Sequence, residues 1–157
     1  MRYIYLVKRM NVLTSDKKQE VRFSVSGTPQ PKSRPRFTKS GHAYTPTKTK
    51  DYEKLIGQCA WVKMAHSKIK TTKSPVHFEM IAYFPIPKSW SERKRMQALA
   101  GAIRPSKPDL DNLIKAVLDG CNKIVYEDDQ QVYSIWAKKL YETWDVKPST
   151  VISFSWT

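Results

Sequence analysis

The chain has 157 residues, 28 lysines and arginines against 14 aspartates and glutamates, and a formal net charge of +14. That length suits one domain, 40% hydrophobic residues can fill one core, and the charge favours a polyanion over an acidic small molecule as partner. Cys59 and Cys121 fall in helical stretches beside apolar faces, as core residues of a reducing compartment do, and the scattered His42, His66 and His77 have no zinc-type spacing.

Residues 1–20 open with MRYIYLVKRM, an apolar patch interrupted by Lys8 and Arg9 that has neither the length of a membrane span nor the cleavage site of a signal peptide. They end in a polar stretch and read as an appended segment, mobile or adding one strand, ahead of a domain over residues 21–157. A cytoplasmic protein with no membrane partner is expected.

Val21, Phe23 and Val25 alternate with Arg22, Ser24 and Ser26, the period-two pattern of a half-buried strand, which Gly27 and Pro29 end. The next stretch, QPKSRPRFTKSGHAYT over residues 30–45, has no such period and reads as a loop. Its Lys32, Arg34, Arg36 and Lys39, interleaved with Phe37, suit a surface that tracks phosphates and touches bases. A solvated charged loop has the same composition.

Thr45-Pro46 introduces a helix to residues 64–68 with Tyr52, Leu55, Ile56 and Cys59 as its buried stripe. Residues 76–84 alternate again until Pro85 and Pro87, and Ser89-Trp-Ser-Glu92 has the form of a capping box for a short helix through Ala100. A helix from Leu110 or Asp111 to Asn122 has its apolar face in Leu110, Leu113, Ile114, Val117, Leu118 and Cys121, and strands over residues 131–141 and 150–156 follow. This order predicts an α+β fold: a two-layer single domain with a mixed β-sheet and its helices mainly on one face.

Acids gather in the third helix and after it. Asp109 precedes the first turn, while Asp111, Lys115 and Asp119 share the face opposite the apolar stripe. By spacing alone, Asp109 as a helix cap and Asp111–Lys115 as a surface ion pair account for this segment, and the pair Asp128-Asp129 suits a turn before a strand. The combination has a second meaning, since carboxylates from both segments could converge on a hard cation such as Mg²⁺, which prefers oxygen ligands and keeps several waters.

The run DLDNLIK at residues 109–115, AVLD after it, and YEDDQ at residues 126–130 resemble the RusA-type Holliday junction resolvases, the crossover junction endodeoxyribonucleases of bacteria and phages. PKSRPRFT at residues 31–38, YTP at 44–46 and PIPKSW at 85–90 resemble the branch found in Gram-positive bacteria and their phages, and the likeness covers residues 21–157. It implies an α+β RusA-like endonuclease domain, a homodimer, and four-way junction or other branched DNA as partner. It also implies catalysis by Asp109, Asp111, Lys115 and Asp129, with Mg²⁺ (Mn²⁺ able to substitute) held by Asp109, Asp111 and Asp129. The spacing from Lys115 to the acid pair is slightly shorter than in the best-known members, which leaves Asp128 as the alternative third ligand. Lys32, Arg34, Arg36 and Lys39 would hold DNA. Paired symmetric nicks with 5′-phosphate and 3′-hydroxyl ends are the expected outcome; a nuclease for other branched DNA and a non-catalytic basic DNA-binding protein are the rival readings.

Overall fold

The computed structural model describes residues 17–157. The expected N-terminal extension lies outside the described residues up to position 16, and its end, Gln19 and Glu20, already belongs to the first strand. The strands are β1 (Gln19–Ser26), β2 (Arg36–Phe37), β3 (Ala43–Tyr44), β4 (Val76–Phe84), β5 (Val132–Tyr141) and β6 (Ser149–Trp156); the helices are α1 (Thr47–His66), α2 (Glu92–Leu99) and α3 (Leu110–Cys121). A 3₁₀ turn over Asp129–Gln131 leads into β5.

The main sheet has the order β1-β6-β4-β5. β6 runs antiparallel to both β1 and β4, whereas β4 and β5 are parallel. A parallel pair needs a crossover, and the chain between β4 and β5, which contains α2 and α3, supplies it. The sheet is therefore mixed, as the element order predicted.

In β4, Val76, Phe78, Met80, Ala82 and Phe84 are buried and the residues between them are not. Register carries that face across the sheet: Phe78 pairs with Phe154 and Met80 with Ile152, and the rings of Phe78 and Phe154 stack at 4.9 Å. α1 and α3 cover it with Ile56, Ala60, Leu113, Ala116 and Val117. Tyr52 of α1 also reaches the sheet, its hydroxyl 2.6 Å from Thr150 Oγ1.

α1 and α3 approach each other through two glycines. A β-carbon on Gly120 would lie 2.9 Å from Glu53 O and from Ile56 Cβ, and one on Gly57 would lie 3.0 Å from Gly120 O. This contact turns α1 so that Ile56, Gly57 and Ala60 face inward, which leaves Leu55, expected in the buried stripe, 41% exposed.

Two local readings are corrected. Residues 30–45 are not loop throughout: Arg36 pairs with Tyr44 and Phe37 with Ala43 in a short hairpin. Thr38 closes it, its N–H donating to His42 O at 2.9 Å and its Oγ1 accepting from His42 N at 3.1 Å, with Gly41 at φ +84° in the turn. Two-residue strands are too short for alternation to show. The cap of α2 is Ser91, which accepts from Lys94 N at 3.3 Å, rather than Ser89.

Gly120→Ala tests the helix contact. Helix propensity alone would make it stabilising by about 1 kcal/mol, but overpacking against fixed backbone costs about 1–3 kcal/mol. The variant is expected to have a lower urea midpoint at unchanged slope; an equal or higher midpoint would show that α1 and α3 do not meet this closely.

Candidate active site along the third helix

Asp109 occupies the N-cap position of α3 with extended backbone (φ −63°, ψ 136°), yet its side chain accepts no capping hydrogen bond. Only its carbonyl serves the helix, accepting from Leu113 N at 3.3 Å. Asp111 lies in the first turn and Lys115 one turn on, and all three side chains are exposed. Among the described residues none of the three is in an ion pair. The helix cap and the Asp111–Lys115 pair, both open to this sequence, are not formed. Among the described residues neither carboxylate has a side-chain partner, at a helix end where the dipole favours negative charge.

Asp128 is used differently. It caps the 3₁₀ turn, accepting from Gln130 N at 2.9 Å, while Gln131 Oε1 accepts from Asp128 N at 2.9 Å. Gln131 Nε2 in turn donates to Thr72 O at 3.0 Å and Ser74 O at 2.9 Å, which ties the turn to the chain leading into β4. The Gln130 N–H, and next the adjoining Asp129 carboxyl, hold the Asp128 carboxyl below the usual range. Asp129 is exposed and caps nothing.

Tyr126 joins this turn to α3. Its hydroxyl donates to Leu118 O at 2.6 Å. Burial first, and with it the charges of the nearby Asp129, Asp119 and Asp128, push the phenol pKa up, so it stays a neutral donor. The acid pair thus sits beside the last turns of α3, whereas Asp109 and Asp111 stand at its first turn. The 12-residue helix separates the two ends by roughly 18 Å at 1.5 Å per residue. Asp109, Asp111 and Lys115 all stand at the start of α3, and among the described residues neither Asp128 nor Asp129 is grouped with Asp109 and Asp111. Among the described residues, no three His, Cys, Asp or Glu side chains are grouped so as to hold a metal ion.

The basic stretch runs along the same helix. Lys32 N donates to Asn112 O at 2.8 Å and Ser33 N to Thr49 Oγ1 at 3.3 Å, so the base of the β2–β3 hairpin is fixed beside the first turn of α3. The Lys32 ammonium is not free: it bridges Glu53 of α1 and Asp119 of α3, the latter at 2.8 Å. Burial works against its charge, but the hydrogen bonds and charges of Asp119 and Glu53 outweigh that and raise its pKa. Arg34, Arg36 and Lys39 are exposed and, among the described residues, unpaired. Phe37 and Tyr44 project from the same hairpin, 71% and 46% exposed. The Lys32 bridge was not legible in sequence, since its partners lie in two other segments with no local pattern to mark them. Asp109, Asp111, Lys115 and Asp129 are all exposed to solvent.

A two-layer mixed-sheet domain with bare acids at a helix start beside a basic hairpin has the parts of an enzyme acting on a nucleic-acid backbone. Residues 26–153 match the family described as endodeoxyribonuclease RusA. The chain is also 35% identical over 127 residues to "Uncharacterized protein YqaN" of Bacillus subtilis (strain 168), an alignment covering 77% of this chain and 87% of that protein. The chain belongs to the RusA family of Holliday junction endodeoxyribonucleases and is accordingly a phosphodiester hydrolase. No helix among the described residues is long and apolar enough to cross a membrane.

The Lys32 bridge has a pH signature. A raised folded-state pKa contributes stability that is complete below the unfolded value and lost as pH rises through the folded one. Lys32→Met is expected to destabilise the protein by a constant margin through neutral pH, the margin narrowing only above pH 10.5. Urea titrations of both proteins across that range check this; a margin unchanged well above 10.5 would show that the Lys32 charge does not bind the two helices.

Proposed function

We propose that the protein resolves four-way DNA junctions by paired symmetric nicks that leave 5′-phosphate and 3′-hydroxyl ends, as a homodimer that uses Mg²⁺, with Mn²⁺ able to substitute. The observation that carries this reading is the pair Asp109 and Asp111, which stand at the dipole-favoured end of α3 with, among the described residues, no capping bond and no ion pair. Carboxylates left bare in a chain of net charge +14 suit a hard divalent cation.

Asp109 and Asp111 would hold that ion, with Asp129 as the third carboxylate. Asp128 is engaged as the cap of its turn, which favours Asp129. When bound, the ion would supply charge neutralisation at the scissile phosphate and a water of lowered pKa. Lys115, one turn beyond Asp111, would offset the charge that builds on the phosphate oxygens during attack. Arg34, Arg36 and Lys39 would hold the junction arms through phosphates, and Lys32 would keep their hairpin against α3.

The separation of Asp129 from Asp109 and Asp111 bears on the dimer. A two-fold dimer matches the two-fold symmetry of a four-way junction, and its interface is self-complementary. With α3 of two copies antiparallel across the axis, the first turn of one meets the last turn of the other, so each site takes Asp109 and Asp111 from one chain and Asp129 from the second. Cleavage then depends on dimerisation.

Complementation tests this arrangement. Asp111→Asn and Asp129→Asn homodimers are each expected to bind junction DNA without cutting it. Mixed dimers of the two contain one intact site and should regain Mg²⁺-dependent nicking of a single strand. Mixtures that stay inert despite subunit exchange would place each site within one chain. Asp128→Asn should retain cleavage and lose thermal stability; the reverse would make Asp128 the ligand. Wild type that prefers a flap or a duplex to a synthetic four-way junction overturns the resolvase reading. Removing Arg34, Arg36 and Lys39 together should flatten the salt dependence of junction binding by about 0.9 in log–log slope for each phosphate no longer neutralised.

A further inference from the structure

Lys139 stands where the sheet pattern calls for an apolar residue. It pairs with Ala82, which puts it on the helix-covered face in line with Ala137 and Tyr141. Its stem runs along that face and its ammonium emerges on the loop ahead of α3, donating to Ser106 O at 2.8 Å and to Pro108 O at 2.8 Å. No carboxylate pairs with it among the described residues.

That loop has little else to hold it. Among the described residues no backbone–backbone hydrogen bond joins residues 103–108 to the rest of the chain. Pro105 is buried and anchors the middle of the segment by packing, but its last peptide, Pro108 to Asp109, has only Lys139. The Pro108 carbonyl belongs to the peptide whose nitrogen is that of Asp109. With this plane held on one side and the Asp109 carbonyl held by Leu113 N on the other, the φ of Asp109 is set, and with it the position of its β-carbon. Asp109 has no capping bond of its own to set that direction.

We infer that Lys139 is a positioning residue: by clamping the Ser106 and Pro108 carbonyls it holds Asp109 beside Asp111, ready for a divalent cation before any DNA is bound. The inference rests on the reading of Asp109 as a metal ligand. The physical logic is that of an outer-shell group, which touches neither metal nor substrate but sets the orientation of a ligand that does; loss of such groups costs about 10–100-fold in metal affinity. An ammonium suits the task because it offers three donors and no acceptor to a loop that presents carbonyls. A methionine of similar length would keep the stem's packing and lose the donors.

The test is Mn²⁺ binding to the DNA-free protein, followed by electron paramagnetic resonance, for wild type, Lys139→Met, Lys139→Arg and Asp109→Asn. Lys139→Met is expected to bind Mn²⁺ about 10–100-fold more weakly, with Lys139→Arg recovering most of the loss. Junction affinity without metal should be unchanged, and the Mg²⁺ concentration for half-maximal cleavage should rise by the same factor. A folded Lys139→Met with wild-type Mn²⁺ affinity, beside a weakened Asp109→Asn, overturns the positioning role and leaves the metal reading intact. Equal binding by wild type and Asp109→Asn overturns both. Should Lys139→Met fail to fold, Lys139→Gln decides: a shorter stem with one amide should give an intermediate loss, and wild-type affinity would sink the inference.

Discussion

The close approach of α1 and α3 at Gly57 and Gly120 fixes where the acidic helix and the basic hairpin beside it stand. A glycine inside a helix costs about 0.5–1 kcal/mol relative to alanine, and here two are placed opposite each other where any β-carbon would strike backbone. The return is burial: with the backbones this close, Ile56 and Ala60 of one helix and Ala116 and Val117 of the other all lose their contact with water. Each large apolar side chain so buried contributes about 1.5–3 kcal/mol, which outweighs the helix penalty. Lys32 then spans the seam from Glu53 to Asp119. A half-buried ammonium with two carboxylates gains little over its solvated state, but the loss of one member leaves the others unbalanced. The bridge fixes position more than it adds stability, and through Lys32 N and Asn112 O it ties the basic hairpin to the acidic helix.

Charge is distributed with the same economy. Of the basic residues that composition marks for a polyanion, Lys32 and Lys139 are already engaged, one by carboxylates and one by carbonyls. Arg34, Arg36 and Lys39 are left for solvent or ligand. The acids divide in the same way: Asp119 and Asp128 have structural partners, while Asp109, Asp111 and Asp129 are, among the described residues, in no ion pair. An N-cap bond from Asp109 would add about 1 kcal/mol. On the proposed reading, the unmade bond leaves the Asp109 carboxylate for the metal, as happens at sites where local stability and function conflict.

Much of this was legible in the chain because it is written in periods. The alternation in residues 76–84 and the apolar stripe of α3 each report a buried face directly, and the acid runs at residues 109–111 and 128–129 are contiguous. What was not legible depends on contacts between distant segments. Lys32 meets its partners only because Gly57 and Gly120 let the helices close, and the same closure rotates Leu55 outward. The β2–β3 hairpin is closed by hydrogen bonds around Thr38 and Gly41, a local device that leaves no period. Lys139 breaks the alternation of its strand, and only the loop it reaches explains why.

Convergence of the acids on one site was the natural expectation from sequence, and the topology shows why one chain does not provide it. Parallel β4 and β5 oblige the crossover to return to the end from which β4 starts, and α3 makes that return. Its first turn therefore lies near the end of β5, where Lys139 reaches Pro108, and its last turn near the start of β5, where Tyr126 reaches Leu118. From Val132 to Lys139 the strand advances roughly 23 Å at about 3.3 Å per residue, consistent with the length of the helix beside it. Acids placed before and after α3 are thus held apart by the same element that makes the sheet possible. In the proposed dimer, a two-fold axis crossing the middle of that helix would remove the separation twice over, because reversing one copy would set each first turn against the other's last. On the proposed reading, the geometry that denies a single chain its third carboxylate gives a dimer two equivalent sites, and neither can act before its partner is in place.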